Sequence, residues 1–375
     1  MRKLAILMVF AWTVFGQRHK LEEVDAEKPE GKLLQQIMQE SDAAKKTTLM
    51  EQFATEYPKL ETTGWVLEQL QGIYVKANDP DKIISAGQRL LTLDPDDPEA
   101  ALQALKAAET KKDIPLIISL SDKTAAAAKK MADKPQPAQA DQVETWKHEV
   151  DYAKQVGTYA DYALFRAAAE SRDPKVVIQL AELLEQRSPK SEYLPKARDV
   201  LFVAYRQAGA NDKAVALAEK LIAEGSLSED MLLVVVDSYA QSKKEPEKIH
   251  TYSAKIVEIM GSKPKPEGMS DADWTKRKNL VTGLAYYMNG KQYSTEAKYS
   301  QADKDLRSAL PLVESNPNMK AEVLFLLGFA NSNMGAEKQQ EAANYFRACA
   351  AMTSPFKAQA SKNLAVIQKQ YRGIK

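Results

Sequence analysis

The sequence predicts an all-α array of antiparallel helix pairs stacked on one another, and three observations carry that expectation. Large and small apolar residues recur at a fixed long spacing, most plainly Tyr205 and Tyr239, which lie 34 residues apart. Asp-Pro dipeptides fall where that spacing places helix starts. Helix formers dominate, Gly (15) and Pro (17) are scarce, and strand-like alternation is hard to find. With 44% hydrophobic and 27% charged residues, the chain can bury a substantial core and is not compositionally disordered.

The repeat is clearest in the segment Leu201-x3-Tyr205-x3-Gly209-x4-Ala214-x3-Ala218-x2-Leu221. Its small residues let two helices of a pair approach, and its large ones fill the seam. The next unit supplies Leu232, Val235, Tyr239, Ile249 and Tyr252; the previous one supplies Leu164, Ala168, Val177, Ala181, Leu184 and Pro189. Nearer the C-terminus, Leu324, Gly328, Gly335, Ala342, Phe346, Cys349 and Pro355 keep the pattern. Early in the chain, Leu67, Leu70, Tyr74, Leu90 and Pro95 fit, as do Leu34, Ile37, Met50, Phe53 and Pro58. A unit near 276–317 keeps Gly283, Tyr286, Tyr299, Ala302, Leu306 and Ala309 around an expected insertion at Asn289–Lys298. These residues resemble the tetratricopeptide-repeat family, with Leu mostly in place of its opening Trp, over about eight units. The resemblance implies a right-handed superhelical solenoid whose first helices line a concave groove.

Helix starts support the register independently. Asp79-Pro80, Asp97-Pro98 and Asp173-Pro174 each place a capping carboxylate before a proline that gives up no needed hydrogen bond. Ser270 with Asp273 predicts a capping box before Trp274. Lys134-Pro135-Gln136-Pro137-Ala138 interrupts the helices. A long helical stretch then runs from about Gln139 toward Arg172, with Gly157 as its candidate break. The expected organisation is an N-terminal block 31–133, an irregular connector and helix 134–157, and a C-terminal block 158–375 containing a loop at 262–273. Lys357–Tyr371 reads as the solvating helix that closes such an array.

The first residues read differently. Arg2 and Lys3 precede an apolar run from Leu4 to Phe15, followed by polar Gln17-Arg18-His19-Lys20. A short positive region, about a dozen apolar residues and small Val14 and Gly16 make 1–16 a secretory signal cut before Gln17. The run is short of the roughly 20 residues a membrane-spanning helix needs. Cleavage takes the formal charge from +1 to −1 and implies a periplasmic or extracellular protein with a polar, disordered leader over 17–30. Glu22-Glu23-Val24-Asp25 matches a chaperone tail signal, but that signal needs a terminal carboxylate and here the string is internal.

Near-equal basic (52) and acidic (51) counts give no global case for nucleic acid. His19, His148 and His250 are isolated, no metal-ligand spacing or phosphate loop occurs, and no catalytic residue or cofactor is expected. Cys349, the single cysteine, sits among alanines and reads as a small buried helix residue.

The family register places Trp65, Glu68, Tyr159, Tyr162, Arg166 and Arg206 toward the groove, followed by Asp237, Gln241, Leu284, Tyr287, Phe325, Phe329 and Asn333. Aromatics and Arg anchor interfaces because each removes much surface from water while keeping polar or stacking options. The same residues can equally pack against neighbouring helices. Leu232–Val236 and Val323–Leu327 are apolar nearly all round, so something must cover every side of them. The expected function is a non-catalytic scaffold holding a protein or peptide segment, with self-association open. The alternative is an envelope protein that binds glycan or a small ligand through Tyr159, Tyr162 or Tyr287.

Overall fold

Among the described residues, aspartates supply five of the eight side-chain caps that start helices. In the computed structural model, which describes residues 18–21, 24–371 and 373–374, the side chains of Asp42, Asp79, Asp97, Asp113 and Asp173 each accept a backbone N–H of the following first turn. Ser270 caps the helix before Trp274, its hydroxyl accepting the Asp273 amide at 3.1 Å and donating to the Asp273 carboxylate at 2.6 Å, so the pair expected as a capping box is joined through the hydroxyl. The expected signal segment 1–16 lies outside the described residues, as do Glu22 and Glu23.

Seventeen α-helices follow one another, and no strand occurs among the described residues. The first of two units ends at Ala208. It holds α1 (Pro29–Gln39), α2 (Ala43–Glu56), α3 (Glu61–Ala77), α4 (Pro80–Leu93), α5 (Pro98–Lys111), α6 (Ile114–Ala132), α7 (Val143–Glu170), α8 (Pro174–Arg187) and α9 (Leu194–Gln207). The second unit begins at Gly209. It holds α10 (Asn211–Ala223), α11 (Glu229–Ser242), α12 (Pro246–Ser262), α13 (Asp271–Thr295), α14 (Tyr299–Ala309), α15 (Pro317–Ser332), α16 (Gln339–Ala350) and α17 (Lys357–Gln370). Within each unit every helix packs on the next in the chain. The odd-numbered helices also meet side to side, α3 on α5, α5 on α7 and α7 on α9 in the first unit, α11 on α13 and α13 on α15 in the second. This is an all-α helical-repeat fold.

The repeating residues do what their spacing requires. Leu67, Leu70, Leu90, Leu164, Leu184 and Leu201 are almost fully buried, and Ala100, Ala101, Ala104 and Ala108 let α5 lie close to its neighbours. The seam tyrosines have a second role. Tyr74 donates to Glu51 at 2.5 Å, Tyr205 to Glu182 at 2.6 Å and Tyr239 to Glu219 at 2.6 Å. Each ring is buried while its hydroxyl ties the helix to the one preceding in its unit, so none of these three hydroxyls goes unpaired.

Two expectations are corrected. Helix α7 runs unbroken through Gly157, because one helical glycine costs only about 1 kcal/mol relative to Ala and a 28-residue helix packed on α5, α6, α8 and α9 outweighs it. The insertion expected at Asn289–Lys298 is taken up mostly as extra helix, carrying α13 on to Thr295. The Pro-rich stretch does interrupt the helices, and it is pinned by Trp146 Nε1–H donating to the Lys134 carbonyl at 2.9 Å. Cys349 is buried, with its thiol donating to the Ala321 carbonyl and pushed up in pKa by burial.

The apolar girth of α11 and α15 is covered largely by the chain itself. Leu232, Val235, Val236, Val323, Leu324 and Leu327 are buried, while Leu233, Val234, Phe325 and Leu326 are half-buried. Less apolar surface is left for a bound segment there than the sequence suggests.

Candidate functional site

Of the thirteen residues placed toward the groove from the sequence, twelve fall on odd-numbered helices, in the layer those helices form within each unit, and Asn333 is the C-cap of α15. The fold gathers only some of them. In the first unit, Tyr159, Tyr162 and Arg166 project from successive turns of α7. The rings of Tyr159 and Tyr162 lie 5.8 Å apart, Tyr162 meets Tyr193 at 5.3 Å, and Tyr193 stacks on Phe165 at 5.8 Å. This aromatic run is half-buried throughout.

Charges flank it. The Tyr159 hydroxyl donates to Glu109 Oε2 at 2.7 Å, and the Lys106 ammonium lies 5.2 Å from the Tyr159 ring centre. Burial, reinforced by the Glu109 bond, pushes the Tyr159 phenol up. Burial likewise raises the Glu109 carboxyl, and its other oxygen, Oε1, is buried without a hydrogen-bond partner. Glu109 lines a cavity of about 120 Å³ with Lys112, Ile114, Ile117, Arg166 and Glu170. Arg166 is exposed and bonded to Glu170 at 2.8 Å. The arrangement offers rings for stacking with two cations, Lys106 and Arg166, beside the Tyr159–Glu109 end.

Phe165, Tyr193, Lys106 and Glu109 were missed in the sequence. Tyr159, Tyr162 and Phe165 are spaced three apart on one helix, a signal that could have found Phe165. Tyr193 lies just before α9, and only the α7–α9 contact brings it in.

The remaining residues stand apart. Trp65 is half-buried on α3, and Arg206 is exposed on α9 with its guanidinium 6.0 Å from the Phe202 ring. In the second unit, Asp237 accepts from Gln241 at 2.7 Å, and Lys291 bridges Tyr287 at 3.1 Å to Glu322 at 2.7 Å. Phe325 is packed between Phe346 and Phe356, with ring centres at 5.8 and 5.4 Å. Phe329 is 37% exposed and meets Tyr299 edge-on. Asn333 donates to the Phe329 carbonyl at the end of α15.

A second surface of the first unit is taken by the chain's own leader. Arg18 Nε donates to Asp94 at 2.5 Å, His19 Nε2 lies 3.1 Å from Asp97, and the His19 amide donates to Glu68 at 3.3 Å. The Asp97 hydrogen bond raises the His19 pKa. A raised pKa means the contribution is fully present below the ordinary histidine value and is lost as pH rises through the raised one. Hydrogen exchange at the His19 amide should therefore accelerate, beyond the intrinsic rate, as pH rises from the ordinary histidine value through the raised one. Exchange that follows the intrinsic rate alone would show that His19 protonation does not hold the segment.

Among the described residues no group of three or more His, Cys, Asp or Glu could hold a metal ion, and no helix is long and apolar enough to cross a membrane. No protein-family description and no curated protein matches the chain. Among solved structures it is similar to the tetratricopeptide-repeat domain of P58(IPK), at 12% identity and a TM-score of 0.26 over 92% of this chain and 100% of that one. It is also similar to yeast Tom70, at 14% identity and a TM-score of 0.25 over 92% of this chain and 89% of that one. Overlap at this level carries no argument about function.

Proposed function

We propose that this chain is an exported, non-catalytic scaffold that holds a segment of a partner protein against the α7 face of its first unit. The observation that carries this reading is the contiguous aromatic run Tyr159–Tyr162–Tyr193–Phe165, bordered by Lys106, Arg166 and the unpartnered Glu109 oxygen. Rings of this kind anchor a side chain at little conformational cost. The neighbours are charged groups and not the amides that sugar hydroxyls would call for, which favours a peptide over a glycan. Export rests on the positive, apolar and polar succession of residues 1–20.

Capture from an envelope extract tests both halves. The chain recovered from that compartment should begin at Gln17, and it should retain a protein that Tyr162→Ala/Phe165→Ala loses while Phe329→Ala keeps it. Equal retention by the parent and the double variant would remove the α7 face from consideration. A chain recovered only from the cytosol with residues 1–16 intact would remove export.

A further inference from the structure

The contacts of Arg18 and His19 describe a site as much as a tether. Asp94 and Asp97 each spend one oxygen on the backbone and offer the other. Asp97 Oδ1 accepts the Glu99 and Ala100 amides at 3.0 Å, leaving Oδ2 for the His19 ring. Asp94 Oδ1 accepts the Asp96 amide at 3.1 Å, leaving Oδ2 for the Arg18 guanidinium. Glu68, one turn along α3 from Gly64, takes the His19 backbone amide, a contact any peptide can make. The floor is shaped as well as charged. A Cβ on Gly64 would come within 2.7 Å of His19 Nδ1, so the imidazole lies where only glycine leaves room.

Three carboxylates from α3 and the α4–α5 turn thus converge on two consecutive residues, and Asp97 is 3% exposed. Without a cation between them, Asp97, Asp94 and Glu68 would face one another as like charges with little water to separate them. We propose that this slot is a binding site for a basic peptide segment of the Arg-His type, and that residues 18–19 occupy it in cis. A partner segment of the same chemistry binds there only by displacing the chain's own. The tether sets the threshold, because a short connection presents Arg18–His19 at an effective concentration of about millimolar.

The test uses a fluorescent peptide of residues Gln17–Lys28 and the full chain in five forms. The parent should not bind it at micromolar concentration, whereas Arg18→Ala/His19→Ala should, because its slot is empty. Adding Glu68→Gln or Asp94→Asn to that double variant should weaken binding about tenfold, the equivalent of one charge-assisted hydrogen bond. Asparagine at 94 retains an oxygen for the Asp96 amide, so the turn survives. Gly64→Ala in the emptied chain should abolish binding while leaving the helix at least as stable, since Ala is the better helix former. Circular dichroism confirms the fold of each variant. Binding by neither chain, equal binding by parent and emptied chain, or indifference to Glu68→Gln, Asp94→Asn and Gly64→Ala together would overturn the proposal.

Discussion

Phe346→Ala will loosen α15, α16 and α17 ahead of the rest of the second unit, at a cost of about 3–5 kcal/mol. Phe346 is 1% exposed and stands at the centre of a cluster with Ala321, Leu324, Ala342, Ala343, Cys349, Ala360 and Ile367. Its ring lies directly on Gly328 of α15: a Cβ there would be 2.7 Å from two ring carbons. The buried alanines of the cluster, Ala321, Ala342, Ala343 and Ala360, are already at minimal size and cannot extend, so only the half-buried Phe325 and its neighbours can relax, and only partly, into the space a phenyl ring leaves. The cavity therefore persists and adds to the lost transfer energy. Helical repeats unfold by parts, so a single melting midpoint is the wrong observable. Hydrogen exchange should show the amides of α15–α17 losing protection by the stated amount, while α11 and α12 change little. Gly328→Ala presses on the same ring from the other side and should also destabilise, despite its better helix propensity. Protection of α16 that is unchanged in Phe346→Ala would show that the cluster does not hold this end together.

The contrast between what the sequence disclosed and what it withheld follows the range of the interaction. Asp79, Asp97 and Asp173 were legible as helix starts because the carboxylate and the amides it accepts lie within three residues of each other. The closing helix and the burial of Cys349 were legible for the same local reasons. Long-range pairing was not. The Tyr74–Glu51 and Tyr159–Glu109 ties span 23 and 50 residues, and no pattern in either helix alone calls for them. The facing of a residue within the odd-helix layer was half legible. Phe325 has the register of a groove residue, yet Phe346 and Phe356 are large enough to reach it and enclose it. Tyr162 has the same register, and its ring neighbours are themselves only half-buried. The leader illustrates the limit from the other side. Polar composition marks residues 17–30 as poor core formers, but it says nothing about the three carboxylates elsewhere, Glu68 on α3 and Asp94 and Asp97 in the α4–α5 turn, that meet Arg18 and His19.

Arg187→Ala is the substitution expected to weaken the α7 face without touching one of its rings. The guanidinium donates to the Ser121 hydroxyl and to Asp122 at 3.1 Å, to the Ala160 carbonyl at 3.0 Å and to Asp161 at 2.9 Å. One side chain at the end of α8 thereby holds both α6 and α7. The bonds differ in weight. Asp122 is half-exposed and can return to water, so Asp122→Asn should cost under about 1 kcal/mol. Asp161 is 13% exposed and would keep only the Ser188 hydroxyl at 2.8 Å, and the Ala160 carbonyl would lose its side-chain donor. Leaving that carboxylate poorly paired costs about 3 kcal/mol. Arg187→Ala/Asp161→Asn should therefore recover part of the loss, and the recovery measures the coupling of the pair. Salt should change the parent little here, because the pair is largely shielded from solvent, in contrast to the exposed Lys129–Asp133 bridge. The functional consequence follows from position. Asp161 immediately precedes Tyr162 on α7, so a helix no longer held at Ala160 and Asp161 presents the Tyr159–Tyr162–Phe165 rings in more than one setting. Capture of the partner by Arg187→Ala should fall by about tenfold, through a faster release, while Asp122→Asn captures as the parent does. If Arg187→Ala is as stable as the parent and captures equally well, the guanidinium neither braces α7 nor positions its aromatic face.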